Sequence, residues 1–364
     1  MNSASSSRGN RRGSGDPEPE SVRDPEMLPA PGTPGDPGAF LRKVSDLHRI
    51  SRRRFLAGSA AGLLLATDLA VTSRIQRYRE ELEILRVPDK EAQRRFPRAM
   101  WFLFPGYKTS WEETRWILGS LRPALTTRGQ LAAVGYSNLG LRVQDILDAV
   151  HRCILDLRLE RIYFYGHSFG GMVAVQVAAG LRERGVAVEL IILDSSPSGK
   201  KDVLDRAMFE GAVFLYDAGY RVPLGLRGGY ELGERLVHKD ERSWRTIGEQ
   251  TLAQLSPLAP SSTLIQSQAS FIYHFSAARF TAALAGTKAA FIGNPRDETV
   301  NYASARAGWT DAFGSNLLPG SPVTEGARPA HASPQWNPEI YEEVLLQVLR
   351  LYEPAPSGGV RPVE

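Results

Sequence analysis

The stretch Tyr163-Phe164-Tyr165-Gly166-His167-Ser168-Phe169-Gly170-Gly171-Met172-Val173-Ala174-Val175 decides how this chain reads. Three consecutive aromatic residues suit a buried strand, and the Met172–Val175 run suits a helix. Between them stands Gly166-His167-Ser168-Phe169-Gly170, a G-x-S-x-G pattern. Its chemistry requires a strand that ends in a sharp turn opening directly into a helix, so that the serine hydroxyl stands clear of the sheet. A serine at such a turn has a strained backbone, and its neighbours two positions away have to be glycine to avoid a clash. The helix behind it turns N–H groups toward any oxyanion that develops there. Ser168 is therefore the candidate nucleophile, weighed against a glycine-rich turn with an incidental serine.

Outward from this turn the chain alternates strand and helix. Met100–Phe104, Leu131–Tyr136, Arg161–Tyr165 and Val188–Leu193 are short apolar runs, separated by amphipathic stretches at Trp111–Leu121, Val143–Leu157 and Gly170–Arg184. Strands apolar on both faces, interleaved with helices, predict a mainly parallel, doubly wound α/β sheet covered on both sides. Trp101, Trp111 and Trp116 read as core. After Asp194 the rhythm breaks: residues 198–287 hold helical patches with Gly and Pro interruptions and no convincing strand. The strand pattern returns at Lys288–Ile292, and Asn337–Tyr352 is a closing helix. The expected organisation is a core of residues 99–197 and 288–352, with 198–287 a helical cap inserted before the next strand.

From the turn through Ile191-Ile192-Leu193-Asp194-Ser195-Ser196, the sequence resembles the α/β-hydrolase superfamily over Ala99–Tyr352, and within it the thioesterase branch associated with polyketide and peptide synthesis. The resemblance implies a chain order of nucleophile, acid, then histidine. Of six histidines, His48 lies in the leader, His151 in a helix, His167 in the turn itself, and His238 and His274 in the expected cap. His331, in the loop Ala327–Pro334 before the closing helix, is the candidate general base. Two carboxylates compete to orient it: Asp297, after the strand at Lys288–Ile292, and Asp194, at the end of the preceding strand, with Glu298 a remote third. The resemblance also implies an oxyanion hole from the backbone N–H groups of Phe169 and of Tyr107, the latter in Phe104-Pro105-Gly106-Tyr107.

The expected activity is hydrolysis of a carboxylic ester or thioester through an acyl-enzyme on Ser168. Alternatives are a thioesterase or acyltransferase serving a carrier protein, and a non-catalytic hydrolase-fold binding protein. No cofactor and no metal is called for. The single cysteine, Cys153, excludes an internal disulfide framework and a multi-cysteine metal site. Phe209, Phe214, Leu215, Phe271, Ile272 and Phe275 in the cap suggest a small-molecule substrate with an apolar acyl group.

Composition narrows the remaining classes. Of 364 residues, 42% are hydrophobic and 23% charged, which excludes a wholly disordered chain. The net charge of +4 resides in the N-terminal hundred residues; from Trp101 onward 26 Lys/Arg face 27 Asp/Glu, so nucleic acid is not an expected partner. Residues 1–50 read as a disordered leader. Ser51-Arg52-Arg53-Arg54-Phe55-Leu56 and the apolar run to Val71 resemble a twin-arginine export signal, or else an N-terminal anchor placing residues 55–71 at a membrane; residues 51–73 take that role. The expectation is a catalytic domain exported or anchored outside, with a cytoplasmic location the lesser alternative. Residues 74–98 alternate charge signs at helical spacing and read as a charged helical linker. Residues 353–364 read as a flexible tail.

Overall fold

The computed structural model describes residues 79–204, 260–320 and 322–352. The expected leader (1–50), the signal or anchor (51–73), the tail (353–364) and most of the expected cap, with Phe209, Phe214, Leu215 and His238, lie outside the described residues. Among the described residues, no helix is long and apolar enough to cross a membrane.

Six strands form one sheet: β1 (Glu83–Val87), β2 (Ala99–Phe104), β3 (Gln130–Gly135), β4 (Arg161–His167), β5 (Leu190–Asp194) and β6 (Lys288–Ile292), in the order β1-β3-β2-β4-β5-β6. All neighbours run parallel except β1, which pairs antiparallel with β3. Because successive side chains on a strand point to opposite faces, β2 feeds two cores. Met100, Phe102 and Phe104 pack with helices α3 (Val143–Asp156) and α4 (Phe169–Glu183) on one face. Trp101 and Leu103 pack with α2 (Trp111–Leu125) and α7 (Pro338–Leu351) on the other. Strands β2 and β3 are buried along their whole length, as their largely apolar composition requires. Trp101 and Trp111 are core residues as expected, whereas Trp116 is 47% exposed and meets Trp336 edge-on at 4.6 Å.

Residues 79–98 depart from the expected charged linker. Glu83–Val87 is an edge strand, and Lys90–Arg95 is a short helix, α1, capped by Asp89, whose carboxylate accepts from Ala92 N–H at 3.0 Å. The alternating charges suggested helical spacing, but Leu85 is only 5% exposed and belongs to the core between the sheet and α2. Exposed Arg86 on the same strand blunts the sheet edge against pairing with another chain. This segment is thus part of the α/β unit.

Of the expected cap, residues 198–204 are described, with a 3₁₀ turn at Lys200–Asp202, and residues 260–287, which return to the sheet as α5 (Ser262–His274) followed by a 3₁₀ turn at Ala277–Phe280. Helix α6 (Tyr302–Phe313) follows β6.

The placement of β1 gives a direct test. Leu85→Ala is expected to lower stability by about 2–4 kcal/mol in urea unfolding, the usual cost of truncating a buried leucine. A solvated linker would leave it near zero.

Candidate active site

Strand β4 ends at His167 and α4 begins at Phe169, so the turn between them is Ser168 alone, at φ 52° and ψ −122°. Two glycines make this geometry possible. A Cβ on Gly166 would stand 2.2 Å from the Cα of Gly171, and one on Gly170 would stand 1.9 Å from the carbonyl oxygen of Phe104. Both distances are far inside van der Waals contact, so the motif's spacing reflects the close approach of β4, α4 and the loop after β2. The turn is held by hydrogen bonds from Ser168 N–H to the Asp194 carbonyl at 2.8 Å and from Gly171 N–H to the Ser168 carbonyl at 2.9 Å.

Two loops far away in sequence meet at this serine. Ser168 Oγ donates to His331 Nε2 at 2.7 Å, and His331 Nδ1–H donates to Asp297 Oδ2 at 2.7 Å. The other oxygen of Asp297 accepts from Thr299 N–H at 2.8 Å and Val300 N–H at 3.0 Å, which fixes the carboxylate plane. The His331 side chain is 21% exposed and that of Asp297 2%. Burial alone would raise the Asp297 carboxyl, but the charge and hydrogen bond of His331 and the two backbone amides outweigh it and hold the group below the usual range. An ionised carboxylate, an imidazole and a serine hydroxyl are thus joined in one hydrogen-bond chain.

Asp194, the alternative acid, is committed elsewhere. It is fully buried, and its oxygens accept from Tyr165 OH at 2.8 Å and Tyr341 OH at 3.2 Å. Burial pushes its carboxyl up to about 7 despite the two hydroxyls. Its contribution is to brace the site: its carbonyl holds the Ser168 amide, and Tyr341, which it orients, accepts from Ser333 N–H at 2.9 Å, two residues beyond His331.

His167 has a role the sequence did not announce. Its Nε2–H donates at 2.7 Å to the carbonyl of Ala332, the residue after His331, so the turn also grips the loop of the base. Burial, reinforced by the nearby His331 charge, depresses His167 to about 4 and keeps it neutral. Tyr341 likewise gave no signal in the sequence beyond an apolar helix face.

The loop after β2 lies against the start of α4, which brings Gly106 and Tyr107 to the same sheet edge as Phe169. Gly106 packs on the His167 ring: a Cβ there would lie 2.5 Å from Nδ1. Glu298 is exposed and His274 ends α5. Among the described residues, no group of three or more His, Cys, Asp or Glu is arranged to hold a metal ion.

Residues 125–208 match the family described as Thioesterase domain. That segment runs from the end of α2 past β5, so it contains Ser168 and Asp194 but neither Asp297 nor His331. Comparison with curated protein sequences finds no match. Among solved structures, a hydrolase from Pseudomonas aeruginosa PA01 is similar at 16% identity and TM-score 0.50, covering 74% of this chain and 94% of that one. The enol-lactonase from Burkholderia xenovorans LB400 is similar at 12% identity and TM-score 0.51, covering 74% and 96%. A carboxylesterase structure from Nitrososphaera gargenis is similar at 13% identity and TM-score 0.50, covering 74% and 94%. The fold is that of the α/β-hydrolases. The strand order, the turn at Ser168 and the sheet edge where three loops meet are this chain's version of it.

The two buried titrating groups have opposite linkage. His167 at about 4, below its ordinary 6.5, contributes stability that is complete above pH 6.5 and is lost as pH falls toward 4. Asp194 at about 7, above its ordinary 3.8, keeps a proton that the unfolded chain releases; its contribution is present at low pH and is lost as pH rises through 7. Each is worth on the order of 3–4 kcal/mol and they oppose each other across mildly acidic pH. Asp194→Asn is therefore expected to make unfolding stability rise more steeply with pH between about 4 and 7 than in the unmodified chain, measured by denaturant titrations at several pH values.

Proposed function

We propose that this chain is a serine hydrolase that cleaves a carboxylic ester or thioester through an acyl-enzyme on Ser168. The observation that carries the reading is the continuous hydrogen-bond chain Ser168–His331–Asp297, with both links at 2.7 Å and the serine on a strained strand-to-helix turn. In this reading Ser168 Oγ attacks the acyl carbonyl while its proton passes to His331 Nε2. Asp297 holds the imidazole in the required tautomer and stabilises the imidazolium that forms. The Phe169 and Tyr107 N–H groups stabilise the tetrahedral oxyanion. His331 then returns the proton to the departing alcohol or thiol, and water, activated by the same histidine, releases the acid. The chemistry requires no metal or cofactor.

The apolar character of the acyl group is supported by Phe271, which packs edge-on against Phe169 at 5.7 Å and beside Phe275 at 5.7 Å. The match of residues 125–208 to a Thioesterase domain favours a second reading, a thioester on a carrier. Rates on an ester and a thioester with the same acyl group distinguish the two. The Ser51–Leu56 string and its apolar sequel support export or N-terminal anchoring of the full chain, which fractionation tests.

An organic fluorophosphonate is expected to add once to the protein at Ser168, read by intact mass, and not to Ser168→Ala. Asp297→Asn is expected to lower kcat by about 10³–10⁴-fold, by stranding the imidazole in the wrong tautomer. Asp194→Asn is expected to cost less than about tenfold, because it braces the loops without touching the base. A reversed ranking of the two aspartates would assign the acid to Asp194.

A further inference from the structure

Helix α5 lies in the described C-terminal part of the segment inserted between β5 and β6, across the loops that follow β2 and β3. Ser261, its N-cap, accepts at Oγ from Leu264 N–H at 3.0 Å, and its own N–H donates to Asn138 Oδ1 at 3.2 Å. Ser267 Oγ accepts from Leu141 N–H at 2.8 Å. These contacts anchor the helix to the loop after β3. The next residue, Gln268, reaches a different loop: its Oε1 accepts from Lys108 N–H at 3.2 Å, across 160 positions of sequence. One turn further on, Phe271 packs on the Phe169 ring. One helix face therefore touches the residue after Tyr107 and the residue after Ser168.

Two features separate Gln268 from ordinary packing. Lys108 has φ 61°, a left-handed backbone that a lysine holds only when its surroundings impose it. Gln268 itself is fully buried, and among the described residues its Nε2 has no hydrogen-bond partner. A buried amide with one end unpaired is a poor choice for stability, since an apolar side chain of the same size would avoid the unpaired donor. The retained end is the one that fastens the loop.

We propose that Gln268 is a positioning residue for the oxyanion hole: its side-chain oxygen clamps Lys108 in the left-handed conformation and so aims the neighbouring Tyr107 N–H at the position where the oxyanion forms. Helix α5 then acts on the chemical step through the loop after β2. This inference rests on the hydrolase reading for its catalytic consequence, and on Gln268, Lys108 and α5 alone for the clamp.

The test uses Gln268→Met and Gln268→Leu, which keep the volume and remove the acceptor, with Ser267→Ala as the control for loosening of the helix. In hydrogen exchange, the Phe104–Trp111 peptide of both Gln268 variants is expected to exchange at least about tenfold faster than in the unmodified chain, with peptides of β4 and α4 unchanged. On a p-nitrophenyl ester, kcat is expected to fall by about 10- to 100-fold with KM changed less than about threefold, the signature of an interaction realised in the transition state. Ser267→Ala is expected to move neither the Phe104–Trp111 exchange nor kcat. Unchanged exchange and unchanged kcat in the Gln268 variants would overturn the proposal, as would failure of both variants to fold, or a fall in kcat matched by Ser267→Ala. If the unmodified chain hydrolyses no ester, the hydrolase reading fails, while exchange at Lys108 still decides the clamp.

Discussion

The backbone at Ser168, with φ 52° and ψ −122°, costs on the order of 1–3 kcal/mol for a residue with a side chain, so its surroundings must over-determine it. Four elements do so together. Strand β4 delivers the chain to the sheet edge, and α4 starts one residue later. The end of β5 receives the Ser168 amide on the Asp194 carbonyl. The loop after β2 lies so close that only glycine fits at position 170. Removing strain at the serine would require these elements to separate, and the two cores on either side of the sheet oppose that.

His331 and Asp297 are positioned by a different logic. Neither His331 nor Asp297 lies in regular structure, so each loop is pinned at several points. Asp297 caps its own turn through Thr299 and Val300. The His331 loop is held at Ala332 by His167 and at Ser333 by Tyr341, which is held in turn by buried Asp194. The strand-end aspartate thus braces these loops, with its two oxygens taken by tyrosine hydroxyls. Rigid placement of this kind is what a proton relay needs, because a misplacement of about an ångström between reacting groups is costly.

Much of this was legible in the sequence because the signals were local. Alternation of buried strand and amphipathic helix located β2 to β6 and the helices between them, and the spacing Gly166–Ser168–Gly170 marked the turn. The resemblance to α/β-hydrolases singled out His331 by its place before the last helix. Strand β1 was hidden because an edge strand with one buried leucine among charged residues has the same charge alternation as a solvated helix. Which aspartate hydrogen-bonds His331 was hidden because it depends on how a segment that includes α6 returns to Asp297 across a separation of 34 positions, which no local pattern encodes. The contacts of His167 with Ala332 and of Gln268 with Lys108 span 165 and 160 positions and were invisible for the same reason.

The nucleophilic role of Ser168 is measured most directly by a pre-steady-state reaction of the full chain with a chromogenic ester, stopped in acid and analysed by peptide mass. An acyl-enzyme on Ser168 gives a burst of leaving group approaching one equivalent of protein when deacylation is slow, with the acyl mass on the peptide that contains Ser168. Turnover with no acyl adduct at Ser168, or with the adduct on another residue, would contradict that role.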